Sequence, residues 1–376
     1  MARGDGHDPT RRDDTETPGA VTTHERELTT PVDLATPDGR RLAPGATGWS
    51  RRPLHRANLR GRWGRTKKWD YWAVLAGDLL VSVTYADVDY LGIVDVWWAD
   101  LGSTTMAAPT GTTGGRNTLA PLARGVSLPD TPGTAPLEFT SRKLNVAITD
   151  DSTGTTRLRA SWTERDGTPG ELAVDIANPR GHESLNVVIP WSDQRFQFTS
   201  KHQARPATGH LTVGARHWDI GAGDDAWGVL DVGRGRWPYA TRWNWGGGAG
   251  HGRWADGADG SPVVGIQVGG MWTEGTGATE NGVLVDGALH KVGSELQWTY
   301  GWDNPLAPWQ VTDPAGQIDL VLTPRFDKHS RTNLGVLSTE THQVFGTWSG
   351  TVATDAGRTI AVDGIQGFAE ESRSRW

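Results

Sequence analysis

The sequence predicts an all-β protein, mostly antiparallel, arranged as a barrel or a sandwich. Three observations support this. Short segments of apolar/polar alternation follow one another closely, each bounded by Asp, Gly, Pro or Asn. No long stretch with a 3.6-residue period and helix caps competes with them. Glycine supplies 50 of 376 residues without a collagen-like period, which suits many turns and bulges.

In chain order, residues 1–24 are polar, charged and nearly free of large apolar groups, the composition of a disordered tail. Residues 25–205 form the first predicted lobe and 206–376 the second. The expected seam is "KHQARPATGH" (201–210), where Pro206 and Gly209 interrupt the alternation. Leu28 to Leu54 is irregular, broken by Pro31, Pro37, Pro44 and Pro53. Residues 70–100 are more continuously apolar, as strands buried on both faces are. "RKLNVAITD" (142–150), "TRLRASWTE" (156–164), "ELAVDIAN" (171–178), "SLNVVIPW" (184–191) and "RFQFTSK" (195–201) then alternate with period two. "DGTPGE" and "TDAGR" carry hairpin-turn chemistry.

Composition excludes several classes. The formal net charge of −7 argues against a protein whose whole surface grips nucleic acid. With no cysteine there are no disulfides, thiolate metal sites or cysteine nucleophiles. The start lacks a signal-peptide apolar region, and no run of about 18 apolar residues occurs. The simplest reading is a cytoplasmic protein. No motif calls for a cofactor: there is no G-x-S-x-G, P-loop or H-E-x-x-H. "GGGAGHG" (246–252) does not fit a dinucleotide fingerprint, and His202, His210 and His217 lack metal-ligand spacing, so no metal site is expected.

Tryptophan is 20 residues against 6 Phe and 5 Tyr, a bias towards flat walls that carry an N–H donor. "RANLRGRWGRTKKWDYW" (56–72) places six basic residues between Arg56 and Lys68, interleaved with Trp63, Trp69 and Tyr71. That pattern suits either a stacking surface for nucleic acid or a solvated face offsetting acidic neighbours, and the net charge favours the second. "DVGRGRWPYATRWNW" (231–245) is the densest aromatic and charged stretch. It echoes 62–72: Trp63 and Trp69 correspond to Trp237 and Trp243, with Trp72 and Trp245 following. A duplication would give two lobes of roughly 150–170 residues, the size of an eight-stranded barrel.

This stretch and "ATENGVLVDG" (278–287) supply the candidate site. Asp231 and Glu280 are the candidate proton-handling groups, because aromatic walls raise a carboxyl pKa. The bland alternative is that both pair with nearby arginines. Arg234, Arg236, Asn244 and Asn281 would orient a polar end of a ligand. Trp237, Tyr239, Trp243 and Trp245 would form the wall, with Lys201 and His202 as secondary members. The expected partner is a hydrophobic or amphipathic small molecule. An acid–base enzyme (hydration, isomerisation or cyclisation), a non-catalytic lipid or metabolite carrier, and a carbohydrate-active protein all remain open.

The order "RW…KKWDYW", "ADVDY", "FTSKHQARPATGH", "VLDVGRGRWPYATRWNW", "TEGTGATENGVLVDG" and "QVFGTWSG" resembles the bacterial family called domain of unknown function 2804, from about residue 26 to the C-terminal "SRW". More distantly, the architecture and Trp usage are similar to two-lobed lipocalin-like proteins such as carotenoid hydratases and tocopherol cyclases. That resemblance implies two antiparallel β lobes, calycin- or lipocalin-like barrels packed side by side, with Trp-rich cavities and acid–base chemistry on apolar substrates, without a shared catalytic motif.

Overall fold

The computed structural model describes residues 22–102, 111–222, 225–333, 335 and 337–375. The predicted tail therefore falls almost wholly outside the described residues. Of its last members, Thr23 donates its backbone N–H to Gly293 O at 2.7 Å.

The described residues contain no helix. Alternation that buries one side chain and exposes the next favours strands, and the strands assemble into two large antiparallel sheets. The first has thirteen strands. Its spatial order begins Thr112–Pro121, Leu91–Asp100, Leu79–Asp87, Thr66–Ala76, Trp227–Arg236, Phe196–Val213. It continues Pro169–Ile176, Thr156–Thr163, Leu144–Asp150, Leu137–Thr140. The second sheet has ten strands, with Ala240–His251, Thr359–Arg375, Ser338–Ala353 and Ile318–Asn333 at its centre. Both curl around their own apolar interior, giving a two-lobed, calycin-like all-β fold.

The strands expected at 142–150, 156–164, 171–178 and 184–191 form within a few residues of those limits. Residues 70–100 become three neighbouring strands, and Leu28–Leu54 stays mostly irregular.

The division between sheets differs from the expected 205/206 seam. Phe196–Val213 is one continuous strand of the first sheet, and the chain crosses to the second sheet between Arg236 and Ala240. The turn-like residues bend this strand instead of ending it. Its register shifts between His202 and Arg205, Ala204 has φ 55°, and Gly209 has φ 150°. A Cβ at Gly209 would lie 2.0 Å from Ala173 O, so only glycine permits that close pairing.

Period two decides what each strand face meets. On Thr66–Ala76, Trp72 and Val74 enter the first lobe's core with Val83, Val94, Trp98 and Leu172. Ala73 and Leu75, on the other face, pack with Val229 against Trp245, Phe345 and Phe368 of the second sheet. The second lobe has its own core, including Ile266, Leu320, Val344 and Trp348. Each fully buried aliphatic chain there contributes roughly 1.5–3 kcal/mol. The sheets thus meet through their outer faces, and the candidate site opens along that seam.

Candidate active site

A cavity of about 290 Å³ lies between the sheets. Its aromatic wall is Trp69, Tyr71, Trp237, Trp243, Trp245 and Trp272. Facing it are hydroxyl side chains of Ser330, Thr339, Thr341 and Ser372. Asp231, Glu280, Glu370, Lys201 and Lys328 supply the charge.

Trp237 is the hub of the wall. It meets Trp69, Trp272 and Trp243 edge to face, with centroid separations of 5.0, 5.2 and 5.5 Å. Its indole N–H donates to Gln197 Oε1 at 2.7 Å. Edge-to-face packing suits the aromatic quadrupole and fixes each ring's orientation.

Each of the three carboxylates accepts an indole N–H. Trp69 donates to Asp231 Oδ2 at 3.0 Å, Trp272 to Glu280 Oε2 at 2.8 Å, and Trp243 to Glu370 Oε1 at 2.8 Å. Lys201 stands among them, 3% exposed, with Nζ 2.8 Å from Asp231 Oδ1 and 4.4 Å from the centre of the Trp245 ring. Lys201 and Asp231 are direct cross-strand partners. The bland expectation that Asp231 pairs with an arginine is replaced by this lysine pair.

Electrostatics follow from burial. Desolvation pushes the Glu370 carboxyl up to about 7, against hydrogen bonding from Trp243 and attraction by Lys201. Desolvation also raises Glu280, opposed by Lys201 and reinforced by Asp231. Glu280 Oε1 is buried without a hydrogen-bond partner. Burial pulls the Lys201 ammonium down, but Asp231, Glu280 and Glu370 outweigh it and hold it above the ordinary lysine range. Lys328, further along, is held below that range by desolvation despite Asp95 and Glu370.

Of the residues singled out in the sequence, Asp231, Glu280, Lys201, Trp237, Trp243 and Trp245 come together here. The other candidate site residues (Arg234, Arg236, Tyr239, Asn244, Asn281 and His202) do not reach the cavity. Arg234 and Arg236 lie at even positions of their strand, opposite to Asp231. Arg234 pairs with Asp70 at 2.7 Å and donates to Trp69 O, while Arg236 donates to Gly39 O and Arg60 O. Both are buried strand anchors. Asn244 likewise lies between Trp243 and Trp245, and donates to Tyr300 and to Glu370 O. Asn281 accepts from Gly269 N–H and donates to Ser294 O, fixing the start of its strand. His202 is one position out of phase with Lys201 and meets Ser200 on the other face at 2.9 Å; burial lowers it to about 3, so its imidazole is neutral. Tyr239 is 42% exposed and outside the cavity lining.

Glu370 was missed. Its signal is in "GFAEESRS" (367–374), where Phe368, Glu370 and Ser372 share one strand face. The adjacent Glu371 faces the other way, bonded to Arg242, Arg373 and Tyr300.

The basic run 56–68 is partly neutralised by its neighbours. Arg56 pairs with Asp33 at 2.6 Å and Lys68 with Asp130 at 3.4 Å, while Trp63 is 69% exposed. "GGGAGHG" lies mostly within Ala240–His251, where a Cβ at Gly247 would come 2.6 Å from Gln203 Nε2. Its glycines serve close packing. No helix among the described residues is long and apolar enough to cross a membrane.

The fold is similar to two solved structures: a candidate AttH of Nitrosomonas europaea and kievitone hydratase of Nectria haematococca. The first is 11% identical, over 88% of this chain and 98% of that one, with a TM-score of 0.45. The second is 13% identical, over 83% and 89%, with a TM-score of 0.47. No curated protein matches the chain. Residues 25–376 match the family described as "Domain of unknown function (DUF2804)", and the chain belongs to that family.

Proposed function

We propose that this protein is an acid–base enzyme acting on an amphipathic small molecule held between the two sheets. The observation that carries the reading is the set of three buried carboxylates gathered about the Lys201 ammonium. Carboxylates crowded in a desolvated site cannot all ionise, so a proton is retained near neutrality. Glu370, pushed up to about 7, is the best placed to exchange it. Glu280, also raised, is its partner in taking or giving the second proton. Asp231, tied to Lys201 and Trp69, holds the ammonium in place.

The walls suit such a substrate. Its apolar body packs on the indoles, and its hydroxyl or carbonyl groups face Ser330, Thr339, Thr341 and Ser372. Positive charge developing on carbon would be stabilised by the Trp faces. Proton addition to a double bond, followed by water addition or by proton loss elsewhere, fits these parts; both are hydration or isomerisation chemistry. The volume sits near the low end of roughly 300–1,000 Å³ for small-molecule sites. The hydroxyl wall also favours a second reading, a sugar stacked on tryptophan.

Native extraction and mass spectrometry of the co-purified molecule tests this. The reading expects an amphipathic compound that wild-type protein converts and that Glu370→Gln and Glu280→Gln bind unchanged. A bound lipid or metabolite that wild type never converts makes the protein a carrier, and a co-purifying saccharide supports the sugar reading.

A further inference from the structure

A second cluster lies on the other face of the strands that carry the hydroxyl wall. His329 and His342 are direct cross-strand partners on Ile318–Asn333 and Ser338–Ala353, and Glu340 is opposite Arg331. Lys328, Ser330, Thr339 and Thr341 face the cavity. The intervening positions therefore place His329, Glu340 and His342 together on the second lobe's side. One donor atom from each lies within 4.8 Å of the other two. The imidazoles are parallel, 4.2 Å apart with 4° between planes.

We propose that His329, Glu340 and His342 bind a divalent transition-metal ion of the zinc type. Two imidazoles and one carboxylate are a borderline donor set that suits zinc and its neighbours better than calcium or magnesium. The outer contacts match this use. His342 Nδ1 is 2.7 Å from Asp327 Oδ2, which fixes the proton on Nδ1 and leaves Nε2 free to coordinate. Asp327 Oδ1 is itself buried without a hydrogen-bond partner. Trp302 packs edge-on against His342 at 4.6 Å and restrains the ring.

His329 Nε2 is already 3.1 Å from Glu340 Oε1. Zinc with bonds of about 2.0–2.2 Å needs tetrahedral donors roughly 3.3 Å apart. Bringing in the third donor takes a side-chain rotation, and His329, 44% exposed along its side chain, has room for it. Arg331, 3.8 Å from Glu340 and mostly exposed, can swing aside. Three protein ligands would leave a position open for water or an anion. The site departs from the sequence expectation of no metal because the two histidines are thirteen positions apart, joined only by strand register.

The test uses tag-free, full-length protein stripped with chelator, titrated calorimetrically with Zn²⁺ and followed by visible absorption with Co²⁺. The expected result is one ion per chain at micromolar affinity or tighter, with cobalt bands of a low-coordinate site. Glu340→Gln should weaken binding at least tenfold, the His329→Ala/His342→Ala pair should abolish it, and Asp327→Asn should cost about 10–100-fold. His217→Ala is the control, because His217 also stacks on a histidine, His210, and lies 3.2 Å from Asp219. Its binding should be unchanged. Absence of saturable binding, or binding that survives Glu340→Gln and the double variant, overturns the proposal. Should the double variant fail to fold by circular dichroism, the shape-conserving Glu340→Gln decides alone.

Discussion

The indole of Trp243 donates to Glu370 Oε1 at 2.8 Å, and the same relation recurs between Trp69 and Asp231 at 3.0 Å. The register repeats too. Asp231 is opposite Tyr71 and Glu370 opposite Trp245, each two positions beyond the donating tryptophan. The echo between 62–72 and 236–245 thus marks two central strands that deliver the same Trp–carboxylate element from either sheet. Their environments diverge at Lys201, which pairs with Asp231 directly, while desolvation pushes the Glu370 carboxyl up to about 7.

Stability should carry a Glu370 signature between about pH 4.5 and 7. Its folded pKa is raised from 4.5 to about 7, so the folded state holds a proton that the unfolded chain releases. The stabilisation is fully present below 4.5 and is lost as pH rises through 7, a span worth about 3 kcal/mol. Neutral His55 and His202, lowered to about 4 and about 3, act in the opposite sense below 6.5. The difference between wild type and Glu370→Gln in urea midpoints across pH 5–8 isolates the carboxyl. Parallel curves would refute the assignment.

Lys201→Met leaves three carboxylates without their nearest cation. The cost should be on the order of 3 kcal/mol at pH 8 and clearly smaller at pH 5, where protonation relieves their repulsion. Denaturation at both pH values checks this, and an equal cost would mean that Lys201 matters by packing alone.

Gly233→Ala should disturb the aromatic wall from below. Gly233 has no positive φ; a Cβ there would fall 2.1 Å from Trp69 Cζ2. Trp69 must move and loosen its bond to Asp231, at roughly 1–3 kcal/mol. A changed tryptophan emission spectrum with a lower unfolding midpoint is expected, and an unchanged spectrum would contradict it.

Arg234→Met should behave as a structural variant. It strands buried Asp70 and removes bonds to Trp69 O and Gly233 O, so a loss of about 3–5 kcal/mol is expected. At a temperature where the variant remains folded, ligand identity should not change. Altered ligand selectivity in folded protein would instead place Arg234 in binding.

Much of the fold was legible because alternation, turn residues and glycine content are local signals. The candidate site was half legible. Aromatic density pointed to Trp237, Trp243 and Trp245, and the acid before an apolar strand pointed to Glu280. Arg234, Arg236 and Asn244 were separable from Asp231 and Trp243 by parity alone, since even and odd positions of a strand face opposite ways. The seam was harder, because Pro206 and Gly209 look alike whether they end a strand or bend it. Glu370 entered the cavity through pairing of Ala240–His251 with Thr359–Arg375, a contact across more than a hundred residues that no local pattern encodes.

The most direct test of the acid–base account is solvent-isotope transfer. The molecule extracted from native protein is incubated in D₂O with wild type, Glu370→Gln and Glu280→Gln, and its mass is followed. The account predicts that wild type installs deuterium at carbon, with or without added water, and that both variants bind the molecule yet leave its mass unchanged. A molecule that binds wild type and never exchanges or gains mass would contradict it.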